Sequence, residues 1–126
     1  GNRVGDVGAA IQEFVEGEGL AVVREYTGHG IGKKFHCDPE IPHYGRAGSG
    51  MRFKPGMAFT VEPMVNTEHP STRKLSDGWT IVTGRHGLSA QFEHTVVVTG
   101  DSHLVTTQLP GEGTFSAFKS SGVDDS

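Results

Sequence analysis

Two glutamates lead the residues whose type and spacing could do chemistry. Glu62 lies in the run 57–65, where Met57, Phe59 and Val61 point one way and Ala58, Thr60 and Glu62 the other. Glu93 lies in the run 88–99. There Leu88, Ala90, Phe92, His94, Val96 and Val98 share one face, and Ser89, Gln91, Glu93, Thr95 and Val97 share the other. If the two runs are neighbours in one sheet, both carboxylates project from the same face. Two close carboxylates resist ionising together, and a divalent cation with a preference for oxygen ligands removes that conflict. The alternation fits equally well two solvated glutamates on the open face of a half-covered sheet.

His29 stands in Gly28-His29-Gly30-Ile31-Gly32, where flanking glycines leave its ring uncrowded. Neutral imidazole suits Mn, Fe, Co or Zn better than Mg or Ca. With Glu62 and Glu93 it makes three ligands and leaves room for water. Taken alone, a histidine between glycines is more often a plain loop residue. His36 can donate a hydrogen bond to a substrate carbonyl, or pair with the nearby Asp38. His43 reads as structural, and His69, His86 and His103 as surface residues. In a regular strand His94 points away from Glu93 and is no ligand. Cys37 beside His36 suggests a nucleophile and its base. Adjacent residues on a strand diverge, however, and no third orienting group is evident. Phe35 and Trp79 can line an apolar pocket or pack in a core.

The elements that must position these residues follow from periodicity. Val4, Val7, Ile11, Phe14 and Val15 predict a helix over 4–16, capped by Asn2 and ended by Gly17 or Gly19. A strand is expected over 20–26, then a long loop over 27–56 that closes on a Pro55-Gly56 turn. The run 88–99 is the strongest strand. Asp77-Gly78 is a hairpin-type turn into a strand over 79–82, and a last short strand covers 104–107. Residues 1–108 are expected to form the domain and residues 109–126, rich in Gly and Ser, a flexible tail. The class is α+β, with one helix flanking a mainly antiparallel sheet. One helix leaves part of the sheet open, so a second half is expected to cover it.

Composition narrows the function classes. The 126 residues suit one modest domain. Eleven basic against fifteen acidic residues give a net charge of -4, mixed along the chain. No basic stripe points to nucleic acid, and no apolar run is long enough to span a bilayer. Cys37 is the only cysteine, so no disulfide framework exists within the chain, which fits a cytoplasmic setting.

Together these motifs resemble type I methionine aminopeptidases, over roughly residues 5–106. The matching stretches begin with Glu25-Tyr26-Thr27-Gly28-His29-Gly30-Ile31-Gly32, Phe35-His36 and Pro42-His43-Tyr44. Lys54-Pro55-Gly56-Met57, Thr60-Val61-Glu62-Pro63-Met64-Val65, Asp77-Gly78-Trp79-Thr80 and Ser89-Ala90-Gln91-Phe92-Glu93-His94-Thr95 follow in the same order. Each is weak alone. The ordered set is specific, above all Glu62-Pro63-Met64 with Gln91-Phe92-Glu93-His94-Thr95.

The resemblance implies the C-terminal half of the pita-bread fold of the creatinase and aminopeptidase class. It implies a metallo-exopeptidase that removes the N-terminal methionine from nascent proteins. His29, Glu62 and Glu93 then match metal ligands, with Glu93 bridging two ions (Co, Mn, Fe or Zn). Glu62 also matches a general base, His36 a contact to the scissile amide, and Phe35 and Trp79 positions near the methionine pocket. In that family two aspartate ligands and another substrate-contacting histidine lie upstream of the opening helix. Asp6 sits on that helix and is not a replacement. The residues present should hold at most one ion, and activity without the missing N-terminal half should be weak or absent. The alternative is a non-catalytic half-domain that binds a metal or a peptide N-terminus.

Overall fold

The structure, a computed structural model, describes residues 1–112. The part of the expected tail over 113–126 lies outside the described residues. The chain opens with helix α1, Val4–Gly17. Arg3, not Asn2, is the N-cap residue, and its N–H is taken up by the Asp6 carboxylate at 2.6 Å. At the other end Gly19 takes φ +73°, while the N–H groups of Gly19 and Leu20 return to the carbonyls of Glu16 and Val15. This left-handed cap uses the freedom of glycine to satisfy the last carbonyls of the helix.

Among the described residues ten short strands follow. They are β1 Ala21–Val22, β2 Gly28–Gly30, β3 Cys37–Ile41, β4 Ala58–Val61, β5 Met64–Asn66, β6 Thr72–Lys74, β7 Ile81–Thr83, β8 Ser89–Gln91, β9 His94–Val98 and β10 His103–Val105. All pairings are antiparallel. Five strands form one sheet in the order β10-β9-β4-β2-β3, three form a second in the order β1-β5-β8, and β6 and β7 form a hairpin. The class is α+β, as the sequence predicts.

Several elements differ from expectation. The loop over 27–56 contains β2 and β3. Their sequences, Gly-His-Gly and Cys-Asp-Pro-Glu-Ile, lack the β-branched alternation that signals a strand. Glycine is needed there because the neighbouring backbones press close: a β-carbon on Gly28 would strike the Thr60 carbonyl, and one on Gly30 the Asp38 carbonyl. The strand over 20–26 shrinks to β1. The strand over 79–82 moves to Ile81–Thr83 and acquires a partner, β6, that its sequence does not announce. The Pro55-Gly56 turn forms, with the Met57 N–H bonded to the Lys54 carbonyl at 3.1 Å.

The most consequential difference lies in the two glutamate runs. Each is divided between two sheets. The run 57–65 breaks at Glu62-Pro63, where proline has no N–H to offer a ladder. The run 88–99 breaks at Phe92-Glu93. The first part of one run pairs with the last part of the other in the large sheet (β4 with β9). Their remaining parts pair in the small sheet (β5 with β8).

The core is one-sided. Val4, Ile41, Phe53 and Phe59 are buried together, with Val7, Met57, Val61, Val96 and Val98 packed against them. The rings of Phe53 and Phe59 stack at 4.6 Å. Beside α1 a groove of about 710 Å³ stays open, with Val61, Val96 and Val98 on its apolar side and Asp6, Asp101 and Ser102 on its polar side. Phe92 and Leu88 are 81% and 76% exposed. No helix among the described residues is long and apolar enough to cross a membrane.

Candidate metal centre

The pairing of the strands brings the candidate ligands together. Val61 lies opposite His94 in the large sheet, and Met64 opposite Gln91 in the small one. One step inward from either pair places Glu62 opposite Glu93 and Pro63 opposite Phe92. The register is continuous across the break, so the two carboxylates are direct cross-strand neighbours. His29 enters from the next strand. Gly30 pairs with Phe59, which sets His29 beside Thr60 on the face that Thr60 shares with Glu62. On its other side the β2–β3 register shifts between His29 and Gly30, a bulge that changes the direction of the backbone at the imidazole.

One donor atom from each of His29, Glu62 and Glu93 lies within 4.8 Å of the others. His29 Nε2 is 3.4 Å from Glu62 Oε1. Two donors each about 2.1 Å from one ion at a tetrahedral angle stand about 3.4 Å apart, so this spacing is compatible with a shared cation as well as with an ion pair. Glu93 is exposed, and rotation of its side chain can take up the remaining distance. The other ring nitrogen, Nδ1, lies 2.9 Å from the Gly30 carbonyl. A proton donated there leaves Nε2 unprotonated toward the glutamates, the tautomer a metal requires. One nitrogen and two carboxylates make a donor set suited to a divalent transition-metal ion.

Thr60 and His43 are among the residues that hold Glu62. Thr60, fully buried, donates its hydroxyl proton to Glu62 Oε1 at 2.8 Å and accepts the His29 N–H at 3.0 Å. His43, 1% exposed, accepts the Glu62 N–H on Nε2 at 3.1 Å. Burial lowers the His43 pKa below its usual value, against the opposing pull of the Glu62 charge, and keeps the ring neutral and able to accept. Sequence reasoning places His43 in a structural role but misses Thr60. The signal for Thr60 was present: it precedes Glu62 by two residues and therefore shares its face.

The other residues singled out from sequence divide. His36 packs against His29, ring centres 4.3 Å apart, and Phe35 meets His36 edge-on at 4.5 Å. A cleft of about 630 Å³ opens there, lined among others by Tyr26, Thr27, His29, His36, Glu62 and Met64. Trp79 lies elsewhere. It is 87% exposed at the tip of the β6–β7 hairpin and does not line the cleft. His94 bonds Thr107 at 2.9 Å, and Asp6 is engaged by the N–H groups of Arg3 and Gly48, so neither joins the donor set. His69, His86 and His103 are exposed.

His29 and Glu62 line the cleft and exposed Glu93 lies within reach of both, on an α+β frame of antiparallel strands. Residues 1–100 match metallopeptidase family M24, and the chain belongs to that family. Membership implies a divalent metal. The chain is 53% identical over 107 residues to methionine aminopeptidase A of Synechocystis, covering 85% of this chain and 42% of that protein. It is 50% identical to the methionine aminopeptidase of Escherichia coli K12, covering 85% of this chain and 40% of that protein. Among solved structures, methionine aminopeptidase from Rickettsia prowazekii superposes with a TM-score of 0.81 at 51% identity, over 83% of this chain and 43% of the other. The enzyme from Thermotoga maritima gives 0.81 at 43% identity, over 83% and 42%. The fold is therefore one half of the pita-bread architecture. The chain spans about two fifths of the length of the relatives it matches.

Proposed function

We propose that these residues are the C-terminal half of a type I methionine aminopeptidase, a metallo-exopeptidase that removes the initiator methionine from nascent proteins. The observation that carries this reading is the convergence of His29, Glu62 and Glu93 within 4.8 Å. His29 Nε2 and the two carboxylates would hold the cation, and their mixed nitrogen and oxygen donor set suits Co, Mn, Fe or Zn. When bound, such a cation supplies Lewis acidity toward an amide carbonyl and makes water in its coordination sphere easier to deprotonate. Glu62 would accept a proton from the attacking water on its carboxylate and pass it toward the leaving amine. His36, beside His29 at the cleft, donates a hydrogen bond to the scissile carbonyl oxygen. Phe35 presents an apolar ring to an adaptable methionine side chain. Trp79, on its hairpin, completes the pocket only together with chain outside these residues.

The proposed domain covers residues 1–108. The open groove over Val61, Val96 and Val98 and the exposed Phe92 and Leu88 are the surfaces an N-terminal half would cover. A lone, exposed Cys37 suits a cytoplasmic setting.

A second reading rests on the donor count. Among the described residues the set has three members, enough for one ion and too few for a dinuclear site. On that reading the chain is a half-domain that binds metal or a peptide N-terminus without cleaving it. Supplying an N-terminal half in trans and assaying a methionyl peptide separates the two. Hydrolysis that appears only with the added half, and is lost in Glu62→Gln, supports the aminopeptidase. Metal binding without hydrolysis in the reconstituted pair supports the half-domain. Hydrolysis by the chain alone at the rate of a complete family member contradicts the half-domain reading and the need for a second half.

A further inference from the structure

The hydroxyl of Thr60 occupies a place where a sheet ordinarily uses backbone. Strands β2 and β4 pair through Gly30 and Phe59, and the Ile31 N–H reaches the Ala58 carbonyl. At the next position toward the site the His29 N–H goes to Thr60 Oγ1 at 3.0 Å, a side chain in place of a carbonyl. A hydroxyl has one proton and two lone pairs. Glu62 Oε1 lies at 2.8 Å and the His29 carbonyl at 3.5 Å. The proton therefore goes to the carboxylate, which when ionised can only accept. Thr60 is 0% exposed, so no water competes for either bond. Its branched β-carbon restricts rotation, which holds both contacts at once.

The oxygen that Thr60 engages is the same Oε1 that faces His29 Nε2 at 3.4 Å. One buried hydroxyl is thus bonded to the backbone of one metal-site residue and to the carboxylate of another. We infer that Thr60 is a positioning residue of the metal centre, tying His29 to Glu62 and setting which Glu62 oxygen faces the cation. The inference rests on the metal-site reading above and assigns Thr60 no contact with the metal or the substrate.

A group that orients a ligand affects the affinity and geometry of the ion, whereas one that only supports the sheet affects folding. The test is a cobalt(II) titration of the 126-residue chain, read by visible d–d absorption, with far-UV circular dichroism to establish folding. In the unaltered chain a specific cobalt band should appear and be lost in Glu93→Ala. Thr60→Val keeps the volume and removes both hydrogen bonds. It should fold, bind cobalt about 10–100-fold more weakly and shift the band, by the usual effect of losing a partner that orients a ligand. Thr60→Ser should restore affinity and spectrum.

If the unaltered chain shows no band that depends on Glu93, the metal-site reading falls and the inference with it. If that band is present but folded Thr60→Val reproduces both affinity and spectrum, only the role of Thr60 falls. The same holds if Thr60→Ser is as weak as Thr60→Val. Should Thr60→Val not fold, Thr60→Ala takes its place. Failure of both to fold assigns the hydroxyl to the sheet and overturns a role specific to the metal.

Discussion

Glu62 and Glu93 stand directly opposite each other at the point where two paired strands leave one sheet and enter another. The register of Val61 with His94 continues into that of Met64 with Gln91, with no residue inserted on either strand. Like charges directly opposed on a sheet are destabilising. The fold maintains this pairing where Pro63 and Phe92 interrupt the ladder, with Thr60, His43 and Gln91 bonded to Glu62. The arrangement sets two like charges against each other where a bound cation would relieve their repulsion.

That repulsion is measurable. In chelator, Glu93→Gln removes one of the two opposed charges and should stabilise the chain by about 0.2–1 kcal/mol. With Co or Mn added the order should reverse, because the unaltered chain gains stability from the bound ion and the variant gains less. Thermal unfolding with and without metal checks this. A variant less stable than the parent in chelator would show that the opposed charges are not a cost.

The close approach of β2 to its neighbours makes a contrast among glycines. Gly28→Ala or Gly30→Ala drives a methyl into the carbonyl of Thr60 or of Asp38 and should cost about 1–3 kcal/mol, as overpacking does. Gly32→Ala meets nothing within 4 Å and should stay within about 0.5 kcal/mol of the parent. Urea unfolding of the three variants gives the comparison. Equal effects would remove the steric reason for glycine on both sides of His29.

His43 is buried as an acceptor for the Glu62 N–H. His43→Leu keeps much of the volume and leaves that donor without a partner, at a cost of about 1–3 kcal/mol. His43→Gln can still present an oxygen and should lose less. Denaturant midpoints rank the two, and equal losses would mean that volume, not the acceptor, matters.

Asp6 sets an acid dependence. The N–H of Gly48, and then that of Arg3, hold its carboxyl below the ordinary 3.8 in the folded chain. A depressed folded value means the unfolded carboxyl takes up a proton first as pH falls. The stabilisation is therefore present above the ordinary carboxyl range and is lost as pH drops through the lower folded value. Asp6→Asn should lower the Tm at neutral pH, and its gap to the parent should narrow toward pH 2. A gap that is constant across that range would contradict the assignment.

Much of this was legible in local pattern. The apolar spacing of Val4, Val7, Ile11 and Val15 marks α1, and the structure ends it at Gly17 with Gly19 as the left-handed cap. The alternation around Glu62 and Glu93 assigns each carboxylate its face. What local pattern misread is equally specific. Strands β2 and β3 have no β-branched alternation, because their place in the sheet depends on close backbone approach and not on their own propensity. The run 88–99 reads as one strand because its alternation does not stop at Phe92-Glu93. Only the partner strand, with Pro63 opposite Phe92, shows that the ladder breaks there.

By itself the sequence determined the donor types, their order along the chain and the face each takes, since these depend on residue chemistry and a two-residue period. Tertiary structure alone decided that the donors meet. His29 and Thr60 are 31 residues apart in sequence, and Gln91 reaches the Glu62 carbonyl across 29. Contacts at that separation are set by which strands pair and in what register, a choice made by the whole buried surface. The same pairing turned Thr60 from one member of an alternating run into the hydroxyl that joins His29 to Glu62.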